Sequence, residues 1–340
     1  MMNKWYEKSG LEGDVVISTR IRLARNLRDY PFPNKLSLEM KKKIDNLVKD
    51  AILRGNSAIA NRFSYVDMSK LNNIESVSLV ERHLVSPEFI SNPEGRGLLL
   101  LDDESISIMI NEEDHIRIQV MENGLDLNSA YDIAEKIDRL LDEQLDFAYD
   151  ESLGYLTQCP TNLGTGMRAS IMLHLPALQE CGSMTRISKN LSKLGLTIRG
   201  AYGEGTEPVG AMYQLSNQVT LGISEKEAIN NLKNIAMQLI KQERSARDSM
   251  SKYMEILDAI GRSVGILRNA KLLNNNEFMK LISNVRLGIY LGVVDNISYD
   301  TVNALIVEAQ PATIIKNTGK ELSATERDIE RAKLVNKRLR

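Results

Sequence analysis

Residues 154–170, GYLTQCPTNLGTGMRAS, gather side chains suited to chemistry: Cys159, a proline, threonine hydroxyls, side-chain amides and spaced glycines, with Arg168 near the end. Glycines let a backbone approach a ligand closely, and the first amides of a helix attract anions. The pattern Ile171, Met172, Leu175 predicts a helix from about Arg168 to Leu178, which would put Arg168 at such a start. The same composition also suits plain turns joining a strand to a helix. Other arginines move the balance. In DVVISTRIRL, Val15, Ile17, Thr19, Ile21 and Leu23 alternate with Asp14, Val16, Ser18, Arg20 and Arg22. As a strand, this segment projects both guanidinium groups from one face.

Arg117 follows the acidic run Asn111-Glu112-Glu113-Asp114-His115. Extended parity puts Glu113 on the face of Arg117 and Glu112 on the other, as a base beside an anion-binding arginine or as a solvated turn. Arg199 ends LTIRG ahead of a glycine-rich stretch carrying Glu204 and Glu207. Five arginines presented inward suit a polyanion, because the planar fork of arginine grips phosphate oxygens in pairs. No Walker A or protein-kinase motif set is present. If the ligand is a nucleoside triphosphate, the arginines replace a P-loop, and Mg²⁺ rests mainly on phosphates and water.

The elements that must position these groups are legible in outline. Ser37 caps a helix through Met40, Ile44, Leu47, Val48 and Ala51. Leu98 to Leu101 and SISIMI through Ile110 form a hairpin, and Ile116, Ile118 and Val120 continue the alternation. Asn128 or Ser129 opens a helix through Ala134, Ile137, Leu140 and Leu141. Tyr213 to Leu221 alternates as a strand. Ser224-Glu225-Lys226-Glu227 is a capping box for a helix through Leu239, and Ser323-Ala324-Thr325-Glu326 is another. Past residue 240 the segments read as successive helices, so a boundary is placed there. His83, in ERHLVSPEF, suits packing or hydrogen bonding.

The chain has 340 residues, enough for about two domains. A net charge of −2 gives no reason to expect nucleic acid or a membrane surface. No apolar run approaches a membrane span, the start has no signal-peptide pattern, and two cysteines make no disulfide framework or four-thiolate zinc site. The reading is a cytoplasmic protein.

STRIR at 18–22, NEEDHIR at 111–117, CPTNLGTG at 159–166, RASIM at 168–172 and RGAYGE at 199–204 resemble the signatures of the ATP:guanido phosphotransferases, the phosphagen kinases. The resemblance covers roughly residues 14–240. It implies an α+β fold: a catalytic domain (1–240) with a large antiparallel sheet flanked by helices, then an all-helical C-terminal domain (241–340). Small-guanidine kinases carry a helical domain before the first arginine motif. Here 17 residues precede Ser18, and about a hundred follow the catalytic part. That layout resembles the bacterial protein-arginine kinase branch, which phosphorylates arginine side chains in proteins. Its RDxxRA motif for phosphoarginine is matched by Arg327-Asp328-Ile329-Glu330-Arg331-Ala332.

Carried over residue by residue, the resemblance implies ATP contacts from Ser18, Thr19, Arg20, Ile21, Arg22, His83, Arg117, Arg168, Ala169, Ser170, Ile171, Met172, Arg199, Gly200, Ala201, Tyr202, Gly203 and Glu204. Glu113 and Glu204 become the carboxylates that handle the guanidinium, with Cys159 beside the acceptor. Arg327, Asp328, Arg331 and Ala332 become the phosphoarginine site and allosteric input. The branch further implies Mg²⁺ with the nucleotide, a homodimer, a zinc-binding activator protein, and a stress response that marks proteins for a Clp protease. The competing readings are a kinase of free arginine or another small guanidine, and a phosphoarginine-binding adaptor.

Overall fold

The computed structural model describes residues 4–55, 59–200 and 208–340. Along the chain, β1 (Val16–Arg25), β2 (Phe63–Asp67), β3 (Gly97–Leu101), β4 (Ile106–Ile110) and β5 (Ile116–Asn123) come first. A small hairpin of β6 (Tyr149–Asp150) and β7 (Gly154–Tyr155) precedes β8 (Met167–His174), β9 (Leu196–Gly200) and β10 (Met212–Asn217). All but the hairpin join one sheet in the order β2-β3-β4-β5-β1-β8-β10-β9, and every pairing in it is antiparallel.

The helices between the strands are α1 (Leu38–Leu53), α2 (Asn73–Glu81), α3 (Pro87–Ser91), α4 (Leu127–Asp142), α5 (Pro176–Glu180) and α6 (Met184–Lys193), followed by α7 (Glu225–Met250). The C-terminal region contributes α8 (Met254–Asn269), α9 (Asn275–Tyr290), α10 (Tyr299–Glu308), α11 (Pro311–Thr318) and α12 (Ala324–Leu339). No described helix is long and apolar enough to cross a membrane.

One face of the sheet is apolar because alternate strand residues point to it. Ile21 and Leu23 of β1, Ile118 and Val120 of β5, and Ala169 and Ile171 of β8 pack there against Val48 of α1, Ala134 of α4 and Leu232 of α7. The other face carries the arginines. Ser37, Ser224 and Ser323 each accept from an amide of the following turn, as their spacing predicts. The cap of α4 is Asp126 rather than Asn128 or Ser129, because its carboxylate reaches the Ser129 amide at 3.1 Å.

Two local expectations are overturned. Residues 167–174 form strand β8, not the start of a helix, and only Pro176–Glu180 is helical. β8 lies between β1 and β10, so both edges of its backbone find partners. Pro176 disfavours helix in the residue before it and then opens α5. Ile17 does not share a face with Thr19. A register shift between Val16 and Ser18 lets Val15 and Val16 both reach the main core, and Ile17 packs with Met172 on the opposite side.

Helix α7 runs through residue 240 and ties the sheet to the C-terminal helices by a buried polar cluster. Glu243 accepts from the Ala177 and Leu178 amides at 3.1 and 2.9 Å. It also pairs with Arg247 at 2.7 Å, both side chains being fully buried. Arg247 donates to the carbonyl of His174, the last residue of β8, at 2.8 Å, and the His174 ring meets Ser283 of α9 at 2.8 Å. Glu243→Ala strands a buried guanidinium and two amides, so it should lower the unfolding free energy by about 3–5 kcal/mol in urea titration. A loss below ~1 kcal/mol would deny the cluster this role.

Candidate active site

The central strands β5, β1 and β8 set the arginines side by side. Arg22 is directly opposite Arg168, and Arg20 is opposite Ser170. On the other edge, Ala24 of β1 is opposite Arg117. Residues facing one another across strands have Cβ atoms about 5 Å apart, and like charges there repel. Neutral polar neighbours take up part of the guanidinium hydrogen-bonding capacity. Arg20 donates to Ser170 at 3.3 Å and to Gln214 at 2.8 Å, and Arg168 donates to Ser216 at 3.3 Å. The buried Nε of Arg22 has no hydrogen-bond partner among the described residues.

Burial, then the charges of Arg168 and Arg117, push the Arg20 pKa down to about 10. Burial and the neighbouring Arg20, Arg117 and Arg168 lower that of Arg22 further still. An anion reverses these costs. The helix-terminus anion site expected at Arg168 is absent because that segment is a strand, so the guanidinium groups provide the cationic surface.

The carboxylates arrive on the turn 111–115. Glu112 and Glu113 both pair with Arg117, Glu113 at 3.0 Å, so the parity that separated Glu112 from Arg117 does not hold through the turn. Asn111, at φ +61°, donates to the carbonyls of Lys41 and Gly95 at 2.9 and 2.8 Å. Asp114 accepts from Asn26 at 2.7 Å and from the Gln158 amide at 2.8 Å, locking this turn to the loop that carries Cys159. Burial raises the Glu113 pKa, and Arg117 partly opposes the shift. Asn162 reaches the Glu113 carboxylate at 3.3 Å, and Cys159 Sγ lies 3.0 Å from the Thr161 hydroxyl. These groups line a cleft of about 810 Å³ whose wall includes Arg22, Arg117, Arg168, Glu112, Glu113 and Cys159.

The glycines of the 154–170 stretch serve backbone packing. A Cβ on Gly164 would lie 2.2 Å from the Thr220 carbonyl, and one on Gly166 would lie 2.7 Å from that of Ala24. Their φ values of +105° and +60° also favour glycine. The turn reading therefore holds for these glycines, while the side chains between them form the cleft wall.

Beyond Arg20, Ser18, His83 and Met172 line one small pocket. Burial and then Arg20 lower the His83 pKa to about 4, so its ring is neutral near pH 7. Arg199 on β9 pairs opposite Gln214, and Gly200 ends that strand. Side chains of Thr19, Ile21, Ala169 and Ile171 are buried on the sheet's other side, where Thr19 bonds the Gly124 carbonyl at 2.7 Å. Those four residues offer the cleft only backbone. Ala201, Tyr202, Gly203, Glu204 and Glu207 lie outside the described residues.

Arg327, Asp328, Arg331 and Ala332 sit on α12. Arg331 is 1% exposed; it donates to the carbonyls of Ala309 and Leu273, both at 2.8 Å, and to Asp328 at 2.6 Å. Arg327 has a buried Nε without a hydrogen-bond partner among the described residues, and Ala332 is core. Among the described residues, no cluster of three metal-ligating side chains is present.

The ATP:guanido phosphotransferase C-terminal catalytic domain matches residues 43–246. The protein-arginine kinase McsB C-terminal domain matches residues 253–340. The chain is 47% identical over 328 residues to the protein-arginine kinase of Caldanaerobacter subterraneus subsp. tengcongensis, covering 96% of this chain and 97% of that one. It is 46% identical to that of Clostridium acetobutylicum, with both chains covered in full. The chain belongs to the protein-arginine kinase branch of the ATP:guanido phosphotransferases.

Solved structures of the wider family share its sheet. The crystal structure of lombricine kinase matches 71% of this chain and 69% of its own, at 26% identity and a TM-score of 0.63. The duplicated taurocyamine kinase of Schistosoma mansoni, with bound transition-state analogue components, matches 76% of this chain and 39% of its own, at 26% identity and a TM-score of 0.63.

Within this protein-arginine kinase fold, residues outside the sequence expectation join the site: Gln214, Ser216, Asn162 and Glu112. Gln214 and Ser216 occur two apart in YQLSN, a period-2 polar signal that marks a second lined face. Because Arg22 adds to a set of like charges, Arg22→Gln should stabilise the protein alone by about 1 kcal/mol and abolish its thermal stabilisation by ATP. A lower melting midpoint without nucleotide would contradict the repulsion argument.

Proposed function

We propose that this cleft transfers the γ-phosphoryl group of ATP to arginine side chains of proteins. The observation that carries the reading is the directly opposed, half-buried pair Arg22 and Arg168, next to Glu113 in a cleft open enough for an acceptor side chain. Arg20, Arg22, Arg117 and Arg168 neutralise the triphosphate and the phosphoryl group in flight, with Arg199 continuing the row. The described residues offer no cluster of three metal-ligating side chains, so Mg²⁺ would be held mainly by the nucleotide phosphates and water and would supply charge neutralisation there.

A guanidinium has delocalised lone pairs and a pKa above ~12, so it is a poor nucleophile until held and relieved of a proton. Glu113, with its pKa raised by burial, receives the guanidinium fork in place of Arg117 and takes that proton. The N–P bond forms as the P–O bond to the ADP leaving group breaks, in line. Glu204 is assigned the second grip on the fork, and Cys159 borders the acceptor.

The finer reading follows the family branch. Phosphoarginine on a partner protein activates the kinase through Arg327, Asp328, Arg331 and Ala332, and the orphaned Nε of Arg327 supports an anion there. A homodimer, a zinc-binding activator, a cytoplasmic location and delivery of marked proteins to a Clp protease in stress complete the proposal.

Glu113→Gln should lose at least about 100-fold in kcat while still binding ATP; near-normal turnover would remove it from the base role. Because the base must be ionised and its pKa is raised, the kcat/KM of the native chain should fall with acid at a midpoint above that of an ordinary glutamate. Incubation with labelled ATP should place acid-labile phosphate on arginines of a protein acceptor in preference to free arginine. The reverse preference would assign a small-guanidine kinase.

A further inference from the structure

The line of arginines has a direction. On the cleft side of β1, Arg22, Arg20 and Ser18 follow at two-residue steps of about 6.6 Å. A triphosphate held by the first two therefore sends its base toward Ser18. At that end lies a pocket lined by Ser18 and Met172 of the sheet, by Trp5 and His83, and by Asn303 and Ile306 of α10. The C-terminal region thus walls this pocket.

Two polar groups in this wall have no task in the fold. Trp5 is 6% exposed, and its indole N–H is buried without a hydrogen-bond partner among the described residues. Asn303 is 2% exposed, and its Oδ1 accepts from Arg286 at 2.6 Å. Because a guanidinium only donates, that bond fixes the amide orientation. Nδ2 is left as a donor with no bond among the described residues.

We infer that α10 completes the subsite for the nucleotide base, with Asn303 Nδ2 and Trp5 Nε1 donating to ring nitrogens of the purine. This inference rests on the nucleotide reading of the arginine cleft. As it stands the pocket is about 30 Å³, smaller than a purine. Met172 is the wall that yields, being an unbranched and adaptable chain. Base entry then presses against α10, so the C-terminal helices sense nucleotide directly.

Steady-state kinetics on the full chain test this, with inorganic tripolyphosphate as a baseless competitor. Asn303→Asp keeps an acceptor for Arg286 and replaces the donor by an acceptor; Trp5→Phe keeps a ring and removes the N–H. Each should raise the KM for ATP about tenfold, the worth of one hydrogen bond, with kcat within about threefold. The inhibition constant of tripolyphosphate should not move. An unchanged KM for ATP in both variants overturns the inference, as does an equal weakening of ATP and tripolyphosphate. Failure of tripolyphosphate to compete with ATP in the native chain would instead overturn the arginine-cleft reading.

Discussion

The constraint on which the structure depends is the repulsion between guanidinium groups fixed on neighbouring strands. Arg22 and Arg168 face one another across β1 and β8, with Arg20 and Arg117 close by. Such an arrangement survives only if the opposite side of the sheet is secure. There, Ile21, Leu23, Ala169 and Ile171 are buried against α1, α4 and α7, each large side chain contributing roughly 1.5–3 kcal/mol. The core thus holds a surface dense in guanidinium groups, of which Arg117 is paired with Glu112 and Glu113, and fixed charges of this kind are a form of electrostatic preorganisation.

The same logic explains the acidic turn. Arg117 belongs to the cationic row, yet it is also the partner of Glu112 and Glu113. It joins the arginine end of the cleft to the carboxylate end. Asp114 then couples the turn to Gln158, beside Cys159, so the acidic turn and the Cys159 loop share one hydrogen-bonded frame. β8 carries this frame outward, because it begins near Arg168 and ends at His174, which bonds Arg247 and Ser283. The C-terminal helices are thus joined, through His174, to the strand that carries Arg168.

Much of this was legible in the residues. The paired arginines of β1 follow from strict alternation, and three serine caps mark α1, α7 and α12. The stretch that forms β8 also fits helix, because Ile171, Met172 and Leu175 suit a helical stripe as well as Ala169, Ile171 and Leu173 suit a strand. Its partners β1 and β10 are distant in sequence, so local pattern alone does not decide. Glu112 was misplaced because parity assumes an extended chain, and Asn111 at positive φ breaks it. Ile17 was misplaced by a bulge, an irregularity with no periodic signature. Asn303 and Trp5 gave no signal at all, since their meaning lies in the meeting of the two ends of the chain.

The central claim is that the arginine row is built for a chain of phosphates. Calorimetric dissociation constants for ATP, ADP and AMP, measured at one fixed salt concentration, test it most directly. The account predicts that affinity falls at least about tenfold with each phosphate removed, since each removes charge-assisted bonds of about 1.5–3 kcal/mol. AMP binding as tightly as ATP would contradict it.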